Sequence, residues 1–301
     1  MLTLFSTAKP FVGHSNIIQR NALKSWTLLH PNAEVILFGD ELGAAEVCRD
    51  LGIRHEPQVL RNEHGTKYLN YIFDKACDLS RHKFLCYANC DIMLMPDFLV
   101  GLDLVVKAHS EFLMNGRRWD IDIAELWDFS QPDWAQKLRL LALLKGKRNS
   151  PNTVDYFCFS RDLYYKKMPP FLIGRIFWDT WLTWFARASN TPLIDASKVV
   201  VAVHQNHDYA YLGKGPEADR SKAEADYNFS MGGNAGWQYY TVDAATERLV
   251  EGRLRPNHLS WVTPIRRRAL HYSLHVWWAC LIATRPIRHR LGLRRSVASK
   301  P

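Results

Sequence analysis

The stretch Phe84-Leu85-Cys86-Tyr87-Ala88-Asn89-Cys90-Asp91-Ile92-Met93-Leu94 decides how the rest of the chain is read. Its first half is an apolar run of the kind that forms a buried strand. Asn89 and Asp91 then interrupt it, and Ile92-Met93-Leu94 resumes it. On extended backbone, residues two apart point to the same side. An amide and a carboxylate therefore share one side of a strand end. Such hard oxygen ligands suit Mg²⁺ or Mn²⁺, and Mg²⁺ is commonly held by one or two carboxylates plus substrate phosphates. The plainer alternative is a turn, where Asn and Asp are also common.

Upstream, Leu2 to Ser6 reads as a strand closed by Ser6-Thr7-Ala8-Lys9-Pro10. Ile17, Ile18, Ala22, Trp26 and Leu29 recur at helical spacing, and Pro31-Asn32 stops that helix. Glu34 to Phe38 is a second strand ending at Gly39-Asp40, with a helix over 41–51 and a short segment at 53–55 after it. Tyr68, Leu69, Ile72, Phe73, Ala76 and Cys77 mark another helix before the strand at 83–88. Strands alternating with helices predict βαβ units around a mainly parallel sheet. In such sheets ligands bind at the carboxyl ends of the strands. Thr7, Lys9, Asp40, Asn89 and Asp91 all fall there.

Beyond residue 108 the pattern loosens. Strands are expected at 111–114, 155–159 and 198–203, and helices over 132–144 and 178–188. Residues 205–240 are polar and glycine-rich and read as a long functional or disordered loop. Asp179 opens a helix among Phe177, Trp178 and Trp181. Desolvation there would raise its pKa toward that of a general base, while a cap at the helix start is the structural reading. Trp178, Trp181 and Trp184 recur every three residues, which suits core packing or one ring facing a sugar. His204 and His207 lack the i, i+4 helical spacing of zinc proteases. Arg117, Arg118, Lys9 and Lys67 are candidates for diphosphate contacts or solvated charges. Arg175 lies one helical turn from Asp179, where it would pair with that carboxylate or bind an acceptor.

Composition bounds these readings. In 301 residues, 47% hydrophobic and 23% charged side chains describe a soluble globular protein. No run is long enough for a membrane span, and the first residues carry no secretory signal pattern. Six scattered cysteines without a CxxC pair read as reduced thiols in a cytoplasmic protein. Residues 265–301 hold nine Lys and Arg and no acid, while the rest carries thirty of each sign. A basic tail seeks a polyanion. The apolar run Ala269 to Thr284, flanked by arginines and containing Trp277 and Trp278, favours the interface of an anionic membrane; the plainer alternative is a C-terminal helix packed on the body with a solvated basic end. No basic groove or recognition motif in the body supports nucleic acid. The expected division is a domain over 1–264, with halves near 1–108 and 109–264, and a basic amphipathic tail over 265–301.

The segment FLCYANCDIML resembles the Asp-x-Asp region of GT-A fold glycosyltransferases, which use nucleotide-diphospho-sugars. Here Asn89 stands at the first acidic position, and Asp91 matches the residue that coordinates metal. LTLFSTAKPF and VILFGDE resemble the first two strands of that fold. VDYFCFSRDLYYKKMPPFLIGRIFWDTWL followed by PLIDASKVVVAVHQNHDY resembles a group within it, so the likeness spans roughly residues 1–210. It implies an α/β Rossmann-like sandwich around a mainly parallel mixed sheet. It implies a donor site of Thr7, Lys9, Asp40, Lys67, Asn89 and Asp91. Mn²⁺ or Mg²⁺ would be held by Asp91 with His204 or His207. Asp179 would be the base, and Arg175 and Trp178 would face the acceptor. The donor would be a UDP-sugar by the habit of the family, and the acceptor a carbohydrate or lipid-linked hydroxyl at the cytoplasmic membrane face. The competing functions are a sugar nucleotidyltransferase and a non-catalytic carbohydrate- or membrane-binding protein. STAKPFVGHS is a poor match for the former's glycine-rich loop.

Overall fold

The computed structural model describes residues 2–207, 216–233 and 236–283. The first half runs β1 (Leu2–Thr7), α1 (Gly13–Thr27), β2 (Glu34–Phe38), α2 (Ala44–Leu51), β3 (Arg54–Glu56), α3 (Leu69–Leu79), β4 (Phe84–Ala88), β5 (Ile92–Met93) and α4 (Pro96–Ala108). The second half continues with β6 (Leu113–Asn115), β7 (Arg118–Ile121), α5 (Trp134–Lys145), β8 (Lys147–Arg148), β9 (Tyr156–Ser160), α6 (Trp178–Ala188), β10 (Leu193–Asp195) and β11 (Ala202–Gln205). Then come α7 (Pro216–Met231), β12 (Glu247–Val250), β13 (Arg253–Pro256) and α8 (Val262–Ala283).

Nine strands form the main sheet in the order β13-β12-β10-β6-β9-β4-β1-β2-β3. The strands β3, β2, β1 and β4 are parallel neighbours, β9 runs against both β4 and β6, and β6, β10 and β12 are again parallel. The expected mainly parallel mixed sheet is therefore present, and it runs without a break through both expected halves. The helix α8 crosses the boundary drawn at 264/265.

Strand alternation sorts the core onto two faces. Leu2, Leu4, Cys86, Ala88, Tyr156 and Cys158 pack with α1, α2 and α4 on one side. Phe5, Leu85, Tyr87, Phe157 and Phe159 pack with α3 and α6 on the other. Both faces of these strands are buried, which explains their unbroken apolar runs. Phe73 stacks on Phe159 at 5.5 Å and meets Phe5 edge-on at 5.1 Å. The three tryptophans of α6 belong mostly to this packing, with Trp181 stacked on Phe185 at 4.8 Å. The five cysteines with described side chains are buried and unbridged.

Four strands, β5-β11-β7-β8, make a smaller sheet over Met93, Ile121, Leu138 and Val203. The expected strand at 198–203 begins only at Ala202 and continues through His204 and Gln205. The helix expected from 41 starts at Ala44, because Gly39 and Gly43 turn the chain with φ of 107° and 86°. At φ 107° the Gly39 backbone is strained for any residue with a side chain, so this corner favours glycine.

The loop expected over 205–240 is corrected by α7. Its inward face is Ser221, Glu224 and Asn228, at 8, 5 and 0% exposure. Helical spacing is present, but it is carried by polar side chains, so an apolar period does not reveal it. Asn228 accepts from Leu172 N at 2.8 Å and donates to Leu172 O at 2.9 Å and Ile176 O at 3.2 Å. Asn228→Ala would strand those buried backbone groups. Chemical denaturation should show a loss of about 2 kcal/mol, within the range for an unsatisfied buried group.

Candidate functional site

Because β1, β2 and β4 are parallel, their carboxyl ends open on one edge of the sheet. A cleft of about 1370 Å³ lies there. After Ala88 the chain makes a tight turn, with Ile92 N on Asn89 O at 3.0 Å. The strand-end and turn readings of Asn89–Asp91 thus describe the same feature. The turn is fixed to α1, since Trp26 Nε1 donates to Ile92 O at 2.8 Å and Leu94 N to Ser25 Oγ at 3.1 Å.

The smaller sheet delivers two histidines to this turn. In register, β11 sets His204 opposite Ile92 of β5 and Asp120 of β7. Asp91 Oδ2 lies 3.0 Å from His207 Nε2 and 3.7 Å from His204 Nε2. One ligand atom from each of the three residues falls within a 4.8 Å span. Asp91 Oδ1 is buried with no hydrogen-bond partner among the described residues. Burial pushes the Asp91 carboxyl up, but the hydrogen bond to His207 and the charges of His204, His207 and Arg118 outweigh it and hold it below its usual value. Burial keeps His204 below the usual imidazole range, against the pull of Asp91. A neutral imidazole beside an ionised carboxylate with an unused oxygen fits a divalent cation.

Asn89 lines the cleft and is tied to its neighbours. Its Nδ2 donates to Asp155 Oδ1 at 2.6 Å, and Arg118 Nη1 holds the other oxygen of Asp155 at 2.6 Å. Arg118 Nε also donates to Asp120 Oδ1 at 2.8 Å, and that oxygen lies 3.2 Å from His204 Nδ1. Arg118 is therefore committed to buried carboxylates at the cleft floor. Arg117 turns to Asn149 O at 2.6 Å and is not among the cleft-lining residues.

On the other side, Lys67 is 5% exposed and donates to Thr7 Oγ1 at 2.5 Å and Ala8 O at 3.0 Å. Its ammonium also pairs with Glu41 Oε1 at 2.5 Å. Burial pulls the Lys67 pKa down, and Glu41 opposes that. Thr7, Lys9 and Lys67 line the cleft. Asp40 does not: it is exposed and bonded to Arg61, and its neighbour Glu41 takes the lining position. Residues 39–43 form a turn, and one position of curvature decides which acid points inward.

Asp179 and Trp178 line the far wall. Trp178 is buried edge-on against Tyr87 at 5.4 Å. Phe177 takes φ 92° at the head of α6, a conformation costly for a residue with a side chain. Burial pushes the Asp179 carboxyl up to about 6, against hydrogen bonds from backbone amides at the helix start; Asp155 adds to the rise. Asp179 thus meets helix-start amides and lines the cleft. Arg175 is not its partner. The guanidinium is buried on Glu224, with Nε and Nη2 at 2.7 and 2.6 Å from Oε2.

No family model matches the chain, and no curated protein matches it. Solved structures do. One is glucosyl-3-phosphoglycerate synthase from Mycobacterium tuberculosis with Mg²⁺ and UDP. It is 14% identical, with TM-score 0.43 over 78% of this chain and 81% of that one. The same enzyme with Mn²⁺, UDP and glucosyl-3-phosphoglycerate is 12% identical at TM-score 0.42, over 78% and 82%. A mycobacterial protein is 14% identical at 0.43, over 78% and 76%. Likeness this distant carries no argument about this chain.

Several site residues had no sequence signal. Asp155, Asp120, Glu41 and Glu224 look like ordinary surface acids until the fold buries them. Gln205 holds the turn by donating Nε2 to Asp91 O at 3.1 Å and is itself held by Asn21 at 2.9 Å. Asp155 yields a test with a definite sign. Burial raises its pKa above the usual carboxylate value despite Arg118. A raised carboxylate destabilises the fold when ionised, and the penalty fades as pH falls toward its folded pKa. Arg118→Ala should therefore cost about 3 kcal/mol at neutral pH, as for breaking a buried pair. The deficit should shrink in denaturation curves taken in mild acid.

Proposed function

We propose that this chain is a metal-dependent glycosyltransferase that moves a sugar from a nucleotide-diphospho-sugar to an acceptor hydroxyl. The observation that supports it most is the convergence of Asp91, His204 and His207 at the carboxyl end of β4, in a cleft that also holds Lys67 and Asp179. The resemblance of FLCYANCDIML to the Asp-x-Asp region points the same way. Asp91, His204 and His207 would hold Mn²⁺ or Mg²⁺. Such a cation supplies charge neutralisation to a leaving diphosphate.

The chain's own residues take the remaining tasks. Thr7, Lys9 and Lys67 frame the donor side, with Lys67 fixed by Glu41 so that its charge stays at the strand ends. Asn89 orients Asp155 and leaves Asp91 as the acidic member of the pair. In an inverting reaction Asp179 Oδ takes the proton of the acceptor hydroxyl, and its raised pKa makes it a better proton acceptor than an ordinary carboxylate. In a retaining reaction the same carboxylate positions that hydroxyl. Trp178 shapes the acceptor wall, and Arg175 supports it through Glu224. UDP is the donor nucleotide of choice, and the acceptor we favour is a lipid-linked or polysaccharide hydroxyl met at the cytoplasmic face of a membrane.

Calorimetric titration of Mn²⁺ and UDP checks the metal assignment. Asp91→Ala should remove Mn²⁺-dependent UDP binding without lowering the melting temperature, and Asn89→Asp should keep or raise metal affinity. Undiminished Mn²⁺-dependent binding in Asp91→Ala would end this reading.

Turnover with a suitable acceptor should rise with pH through about 6, as Asp179 loses its proton. Asp179→Asn should cut turnover by about 10² or more, the scale of a general base, and flatten that limb while donor affinity holds. Near-normal turnover with a lower melting temperature would reduce Asp179 to a helix-start residue.

A further inference from the structure

Among the described residues, the contacts that tie α8 to the body come from one side of the helix. Arg267 donates to Asn152 Oδ1 at 2.5 Å and to Asp243 Oδ2 at 3.1 Å, and His271, one turn on, meets the ring of Tyr239 at 5.7 Å. At 3.6 residues per turn six exposed large side chains among those described fall on two flanks away from these contacts. Ile265, Tyr272 and Val276 occupy one, and Leu270, Leu274 and Trp277 the other; all six are 49 to 63% exposed. Leu259 and Trp261, just before the helix, add 66% and 60%. Exposed apolar side chains gathered in this number on one helix mark an interaction site.

The chemistry of the patch selects its partner. Arg266 and Arg268 lie within it, and no acidic residue occurs from 265 to 301. A protein groove would take one apolar stripe, whereas here both outward flanks are apolar. A nucleic acid would match the arginines and leave Leu270, Leu274 and Val276 in water. The helix is not long and apolar enough to cross a bilayer. We infer that α8 docks along the headgroup boundary of an anionic bilayer, with its apolar flanks in the acyl edge and Arg266 and Arg268 on lipid phosphates. Its root on Asn152 ties this contact to the segment that continues into Val154 and Asp155 of the cleft. The inference deepens the membrane-linked acceptor proposed above, yet it does not require the reaction to be correct.

The test is sedimentation of the full chain with phosphatidylcholine vesicles, with and without phosphatidylglycerol, at low and high salt. Binding should need phosphatidylglycerol and weaken with salt. Leu270→Glu/Leu274→Glu should weaken it at least about 10-fold at both salt levels. Arg266→Ser/Arg268→Ser should weaken it by about 10-fold at low salt and less at high salt. Mn²⁺-dependent UDP binding should be unchanged in both variants, which separates failure of this surface from failure of the donor site. No binding to either vesicle, or full binding by Leu270→Glu/Leu274→Glu, overturns the inference. So does a dimer in light scattering that this variant dissociates, or binding to duplex DNA without binding to vesicles.

Discussion

Asp91 stands at the end of a strand buried on both faces, with one carboxylate oxygen on His207 and the other buried without a partner among the described residues. Its backbone carbonyl is taken by Gln205, and the turn that carries it is fastened to α1 through Trp26 and Ser25. A buried ionised group must be paired or ligated. The second sheet meets that need, because pairing β5 with β11 is what brings His204 and His207 to a residue more than a hundred positions earlier. The main sheet supplies the edge, the small sheet supplies the two imidazoles, and the cleft lies where they meet.

The parts legible in the sequence are those whose period is carried by apolar residues. The strands β1, β2, β4 and β9 and the helices α1, α3 and α6 fall at or close to the expected positions, since each buries carbon against the sheet. Elements that bury polar groups are silent to the same reading. The helix α7 presents Ser221, Glu224 and Asn228 inward, and β10, β12 and β13 are short strands toward the far edge of the sheet. The strand β11 is shifted because its inward residues include His204 and Gln205, which look like the loop beyond a strand rather than its end.

The site follows the same rule. Asn89 and Asp91 stand out because they break an apolar run, and Asp179 because aromatic residues surround it. Asp155 and Glu41 also adjoin apolar strands, but at ends where acids are commonplace. Arg175 illustrates the limit of local spacing. One helical turn suggested Asp179 as its partner, whereas the nearer charge came from Glu224, 49 residues away. Glu224 also accepts from Asn62 and Thr66, so a single carboxylate joins the loop carrying Lys67 to the loop leading into Asp179. Through Glu224, α7 thus links two of the segments that line the cleft.

The charges on the cleft floor do not balance. Asp91 raises the pKa of Asp155, and Asp155 raises that of Asp179, so the three carboxylates repel one another in series. Against them the floor sets Arg118, already shared between Asp155 and Asp120, and two histidines, of which burial holds His204 below its usual pKa. Relief by protonation would come first at Asp155 and Asp179, whose pKa values are already raised, and last at Asp91. A divalent cation at Asp91 would relieve the same repulsion without using a proton. It would lower the pKa of its carboxylate neighbours and stabilise the folded chain by mass action. Burial acts on all three carboxylates, and only Asp91, on His207 and beside His204 and Arg118, has partners enough to keep its pKa low.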